Sequence, residues 1–101
     1  MITVIATVHC KPGHREDFLR EFHAIVSEVL KEDGCMEYGP TIDASTDLAN
    51  QHRDENRITI VEKWQSLSAL KSHLGAPHME AYRPKVKDFV SSAELRVLNV
   101  A

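Results

Sequence analysis

Ile58-Thr-Ile-Val-Glu-Lys-Trp-Gln-Ser-Leu-Ser-Ala-Leu-Lys-Ser-His-Leu74 decides the reading of this chain. It begins as a strand. From Arg57 to Gln65, Ile58, Ile60 and Trp64 alternate onto one face, and Thr59, Val61 and Lys63 onto the other. It ends as a helix: Ser66 is a good N-cap, and Leu67, Leu70, Lys71 and Leu74 follow at helical spacing. Glu62 shares the face of Ile58, Ile60 and Trp64, so a carboxylate stands among large apolar groups. The only tryptophan closes the strand, one turn before a helix that carries His73 and, past a break, His78. A carboxylate, an indole N–H and imidazoles among apolar side chains can line a small-molecule pocket. The plainer alternative makes Trp64 a core anchor and pairs Glu62 with a nearby Lys or Arg.

Before this stretch, residues 2–10 alternate as a first strand, with Ile2, Val4, Ala6, Val8 and Cys10 on one face. Lys11-Pro12-Gly13 turns the chain into a helix from about His14 to Glu32, whose stripe is Phe18, Phe22, Ile25, Val26 and Val29, widened by Leu19 and Leu30. Asp33-Gly34 ends it. Residues 35–43 read as a second strand with Met36, Tyr38 and Ile42 on one face, and Pro40 suggests an edge or a bulge. Residues 44–56 are polar without period and form a long surface loop. After the second helix, Gly75-Ala76-Pro77 is a break, and Met79, Tyr82, Val86 and Phe89 recur at helical spacing; Pro84 should kink that run or mark a restart. Residues 92–100 form the last strand, with Leu98 and Val100 opposite Leu95 and Val97.

The order βαββαβ points to an α+β, ferredoxin-like unit over residues 1–101, with strand order 4-1-3-2 and both helical layers on one sheet face. The other face keeps too many apolar groups, Ile5 among them, to stay wet, so a two-fold homodimer is expected to cover it. The chain has 101 residues, 43% hydrophobic and 27% charged, which suits one soluble domain. A net charge of −3 without a basic run argues against nucleic acid as a partner. No apolar run approaches the ~20 residues that span a bilayer, and the start lacks the basic n-region of a secretion signal. A cytoplasmic location is expected, with Cys10 and Cys35 as free thiols at opposite ends of the sheet.

Glu62-Lys63-Trp64, Ser66, Ala69-Leu70, His73-Leu74 and Pro77-His78 together resemble the signature of antibiotic biosynthesis monooxygenase domains. Pro12-Gly13 followed by Phe18 is similar to that family's first turn and helix, and Gly34-Cys35 with Tyr38 to its second strand. The resemblance covers nearly the whole chain. It implies a dimeric α+β barrel and cofactor-free oxidation of a quinol or hydroxylated aromatic by dioxygen. Other relatives degrade haem, isomerise a phosphorylated sugar-derived signal, or have no known activity. Haem degradation is not expected, because Ala6 and His73 stand where the haem degraders carry asparagine and tryptophan.

Such a monooxygenase needs a base of near-neutral pKa, donors for a phenolate and a dry cavity. His73 and His78 are candidate bases because imidazole titrates near neutrality. Trp64 N–H is a donor that can hold an oxyanion, and Glu62 can orient a histidine or take the proton itself. His73, Trp64 and Glu62 are the expected catalytic set, with Tyr38, His78, Tyr82 and Ile60 lining the substrate. No metal is expected, because His73 and His78 stand five apart, across Gly75 and Pro77, rather than at the i, i+4 spacing of two ligands on one helix face. The competing class is a non-catalytic dimer that binds a small ligand, in which Trp64, Tyr38, Tyr82 and Met79 pack on one another and leave no cavity.

Overall fold

A computed structural model describes residues 1–101. The elements are β1 (Ile2–Cys10), α1 (Arg15–Leu30), β2 (Cys35–Thr41), β3 (Arg57–Trp64), α2 (Leu67–Leu74), α3 (Pro77–Val86), a 3₁₀ turn (Lys87–Phe89) and β4 (Val90–Leu98). The strands form one antiparallel sheet in the order β2-β3-β1-β4, which is the expected 4-1-3-2 order read from the other edge. The fold is therefore the ferredoxin-like α+β unit.

Alternation on β3 explains the layering. Ile58, Ile60, Glu62 and Trp64 are all buried against the helices, while Thr59, Val61 and Lys63 face the open side. β1 matches it in register, with Val8 opposite Ile58 and Val4 opposite Glu62. Phe18, Phe22 and Val29 are the buried stripe of α1, with Leu19, Ile25 and Val26 partly buried beside them. Leu30, expected to widen that stripe, is exposed, because it falls where α1 gives way to the turn. From α3 come Met79, Tyr82 and Val86. Fully burying each such large side chain contributes about 1.5–3 kcal/mol.

Four local features depart from expectation. A bulge between Cys35 and Glu37 resets β2, so Tyr38 enters the core while Met36 turns outward, and Ile42 lies beyond the strand's end. α3 runs through Pro84 to Val86; this close to the helix end, the missing N–H costs one bond, and the chain tightens into the 3₁₀ turn directly afterwards. β4 covers 90–98 rather than 92–100, because pairing with β1 starts at Cys10 opposite Val90. His23, expected at the flank of the α1 stripe, is exposed.

Residues 43–57 are tied at their base. Asp43 Oδ2 accepts from Arg57 Nε at 3.1 Å and from the Asp54 backbone N–H at 2.9 Å, and Arg57 Nη2 donates to the His52 carbonyl at 2.6 Å. The Arg57 guanidinium holds the Asp43 carboxyl below its usual range. Cys10 and Cys35 are free thiols. No helix is long and apolar enough to cross a membrane.

Candidate active site

β3, the α1–β2 turn and the α2–α3 corner build one cluster. Trp64 ends β3 with no exposed surface, and its Nε1–H donates to Glu62 Oε1 at 2.9 Å. This contact joins residues i and i+2, which share a strand face. Ser66 caps α2 by accepting from the Ala69 N–H at 3.1 Å, which fixes the helix start directly after Trp64. Two turns on, the His73 imidazole lies tilted against the indole, 4.6 Å between ring centroids, and only 1% of the residue is exposed. Tyr38, directly opposite Glu62 in the β2–β3 register, meets the His73 ring edge-on at 5.3 Å and stacks on Phe22 at 5.2 Å.

The fourth polar member is Glu32. Its Oε2 lies 2.8 Å from His73 Nδ1 and 2.8 Å from His78 Nε2. Glu32 sits in the turn after α1, where its N–H bonds the Val29 carbonyl and its carbonyl accepts from Cys35 N–H. Gly34, at φ +83°, closes that turn in the left-handed region, and its carbonyl accepts from Gln65 N–H at 2.8 Å. The α1–β2 turn is thereby fixed to the β3–α2 junction, and the carboxylate meets both imidazoles. Sequence reasoning missed Glu32, which looked like one more polar residue at a helix end. The available signal was Gly34, which demands a tight turn and brings that helix end back over the sheet.

Burial pushes the Glu62 carboxyl up; the Trp64 N–H and the nearby His73 pull it back, and the Glu32 carboxylate adds to the rise. Burial also raises Tyr38 and Tyr82, with Glu62 adding to the rise at Tyr38, so both stay phenols that can donate. No fully buried side-chain nitrogen or oxygen lacks a partner.

Of the seven residues expected at the site, Glu62, Trp64, His73, Tyr38 and His78 come together. Tyr82 meets Phe22 edge-on, 6.2 Å between centroids, and Ile60 stands two residues before Glu62 on the same buried face. The indole N–H, expected to be available to an oxyanion, is engaged by Glu62. The cavity that Trp64 and His73 are expected to line, with Glu62 at its wall, is closed: all three residues are buried, and Glu32 holds the imidazole against the indole. The nearest cleft is an open one lined by Glu32, Gly34, Gln65, Ser66, Ala69 and Ser72. The histidine spacing that argued against a shared ligand position does not apply, because the corner between α2 and α3 swings His78 back toward His73.

Residues 1–85 match the antibiotic biosynthesis monooxygenase family model. The chain belongs to that family. It is 40% identical over 100 residues to the Escherichia coli K12 protein named "Probable quinol monooxygenase YgiN", covering 97% of this chain and 96% of that one. Among solved structures, Rv0793 of Mycobacterium tuberculosis superposes with a TM-score of 0.82 at 26% identity, over 99% of this chain and 94% of that one. PA3566 of Pseudomonas aeruginosa gives 0.81 at 26% identity, with the same coverage of 99% and 94%. The chain is thus an antibiotic biosynthesis monooxygenase domain with a monooxygenase-type function, and the Glu62–Trp64–His73–Glu32 cluster is its candidate active site.

Proposed function

We propose that this protein oxidises a quinol or hydroxylated aromatic with dioxygen and no bound cofactor, using His73 as the base. The observation that carries the reading is the Glu32–His73 contact at 2.8 Å beside Trp64, in a chain 40% identical to a protein named as a quinol monooxygenase. With the Nδ1 proton donated to the Glu32 carboxylate, Nε2 of His73 keeps its lone pair and accepts a phenolic proton. The resulting phenolate passes an electron to dioxygen. One oxygen atom enters the ring and the other leaves as water, so a hydroquinone becomes a hydroxyquinone. Glu62, kept in place by Trp64, and the Tyr38 phenol supply the polar wall, and His78 lies at the rim.

Trp64 is fully covered, with the His73 ring of α2 against it, so substrate must displace part of that cover to reach the indole. The protein works as a two-fold homodimer, supported by the helix-free sheet face, where Ile5 and Val61 are only half covered and Leu98 is 37% exposed. Its free thiols suit a reducing cytoplasm.

Oxygen uptake with a panel of quinols and hydroxylated polycyclic aromatics tests the reading. One dioxygen should be consumed per substrate, with none returned on adding catalase. Return of half the oxygen would reveal an oxidase that makes peroxide. The second reading, a non-catalytic dimer, draws its support from the complete burial of Trp64. It predicts no uptake above the autoxidation rate with any member of the panel.

A further inference from the structure

Three donors from three separate elements meet at the solvent edge of the cluster. Glu32 comes from the α1–β2 turn, His73 from the last turn of α2 and His78 from the first turn of α3. Glu32 Oε2 lies 2.8 Å from one nitrogen of each ring, and the donor atoms of the three residues fall within 4.8 Å of one another. Two imidazole nitrogens and a carboxylate oxygen are a ligand set that suits zinc and neighbouring first-row divalent ions.

The burial is graded in the way such a site requires. The His73 side chain is 2% exposed and anchors the inner end, while those of Glu32 and His78 are 15% and 25% exposed and open the outer end to water. An ion can therefore arrive from solvent and keep water in its remaining position. The elements that carry the donors are fixed by the Gly34 turn, the Ser66 cap and Pro77 at the start of α3. Metal–nitrogen bonds of about 2.0–2.1 Å set neighbouring donors roughly 3.3 Å apart, so the two 2.8 Å contacts to Glu32 must open slightly around an ion, which rotation of the partly exposed His78 ring allows.

We propose that Glu32, His73 and His78 bind one divalent transition-metal ion of the zinc class, through Nδ1 of His73, Nε2 of His78 and the Glu32 carboxylate. In the metal-free protein the imidazole protons occupy the space between these atoms. When the ion takes Nδ1 of His73, the ring's remaining proton sits on Nε2. That nitrogen then donates and no longer accepts. Resting on the base role proposed above for His73, metal occupancy switches the monooxygenase off.

The test is calorimetric titration of the full chain, free of any histidine tag, with zinc chloride, and titration with cobalt chloride followed by its visible absorption. One ion should bind per chain with a Kd in the micromolar range or below. Glu32→Gln and His78→Gln should each weaken binding by about ten-fold or more. His23→Gln, remote and exposed, should leave it unchanged. Circular dichroism melts identify a variant that has lost its fold; His78→Gln, altering a partly exposed ring, is the variant that keeps the test decisive. Absence of binding up to about 1 mM, or binding that survives both variants, overturns the site. Both readouts are independent of turnover, so loss of the monooxygenase reading leaves the metal result standing. Zinc that binds at the site and leaves quinol turnover unchanged overturns the switch.

Discussion

Nδ1 of His73 and Oε2 of Glu32 lie 2.8 Å apart although they stand 41 positions apart in the chain. The contact closes the α1–β2 turn onto α2, and the base role proposed for His73 requires its proton on Nδ1. Removing the imidazole therefore has two effects. His73→Gln should lower turnover on the best quinol by about 10²–10⁴, the range for a lost general base. It should also lower stability, since the Glu32 carboxylate loses one of its partners. Steady-state kinetics beside a denaturant curve separates the two; a variant with full turnover refutes the base assignment.

Trp64→Phe keeps most of the bulk and deletes one N–H, the donor to Glu62. A buried carboxylate left without that donor should cost about 1–3 kcal/mol, measurable by urea unfolding. The double variant Trp64→Phe/Glu62→Gln should lose less than the sum of the singles. Strict additivity would mean that the 2.9 Å contact carries no energy in solution.

Glu62 also sets a pH dependence whose sign is defined. Its carboxyl is raised above the ordinary value of 4.5, chiefly by burial. A raised folded-state pKa means that the native state holds its proton longer than the unfolded chain does. The associated stability is fully present below the unfolded pKa and is lost as pH rises through the folded value. Glu62→Gln cannot ionise and should lack this decline. The stability of Glu62→Gln relative to the native protein should therefore improve between pH 4 and neutrality. A gap that moves the other way would show that Trp64 and His73 outweigh burial.

The sheet order and the buried face of β3 were legible in the sequence because strand alternation is local and Ile58, Ile60, Glu62 and Trp64 obey it without interruption. The cap at Ser66 was legible for the same reason. Tyr38 was readable as a covered aromatic, but the bulge that turns Met36 outward was not, since one inserted residue shifts every later side chain. The Glu32–His73–His78 meeting point is the least local feature. It depends on a left-handed Gly34, on the angle of the α2–α3 corner and on contacts across more than forty positions, none of which a periodicity records.

Gly34 gives the sharpest test of that arrangement. Gly13 and Gly34 share a φ of +83°, so alanine at either position pays the left-handed penalty of about 1–2 kcal/mol. The surroundings differ. A Cβ at Gly13 meets nothing within 4 Å, whereas one at Gly34 would sit 2.7 Å from the Ala69 Cβ, closer than two carbons tolerate. Gly34→Ala should thus be more destabilising than Gly13→Ala by about 1–3 kcal/mol, the range for overpacking a fixed contact. The turn must move to relieve the clash, and Glu32 moves with it, so quinol turnover and zinc affinity should fall in Gly34→Ala and hold in Gly13→Ala. Ala69→Gly in the Gly34→Ala background removes the opposing methyl. It should recover the difference between the two glycine sites, less the cost of about 1 kcal/mol for glycine in a helix. Equal destabilisation at the two glycines, measured by denaturant unfolding, would mean that the turn carrying Glu32 is not pressed against α2.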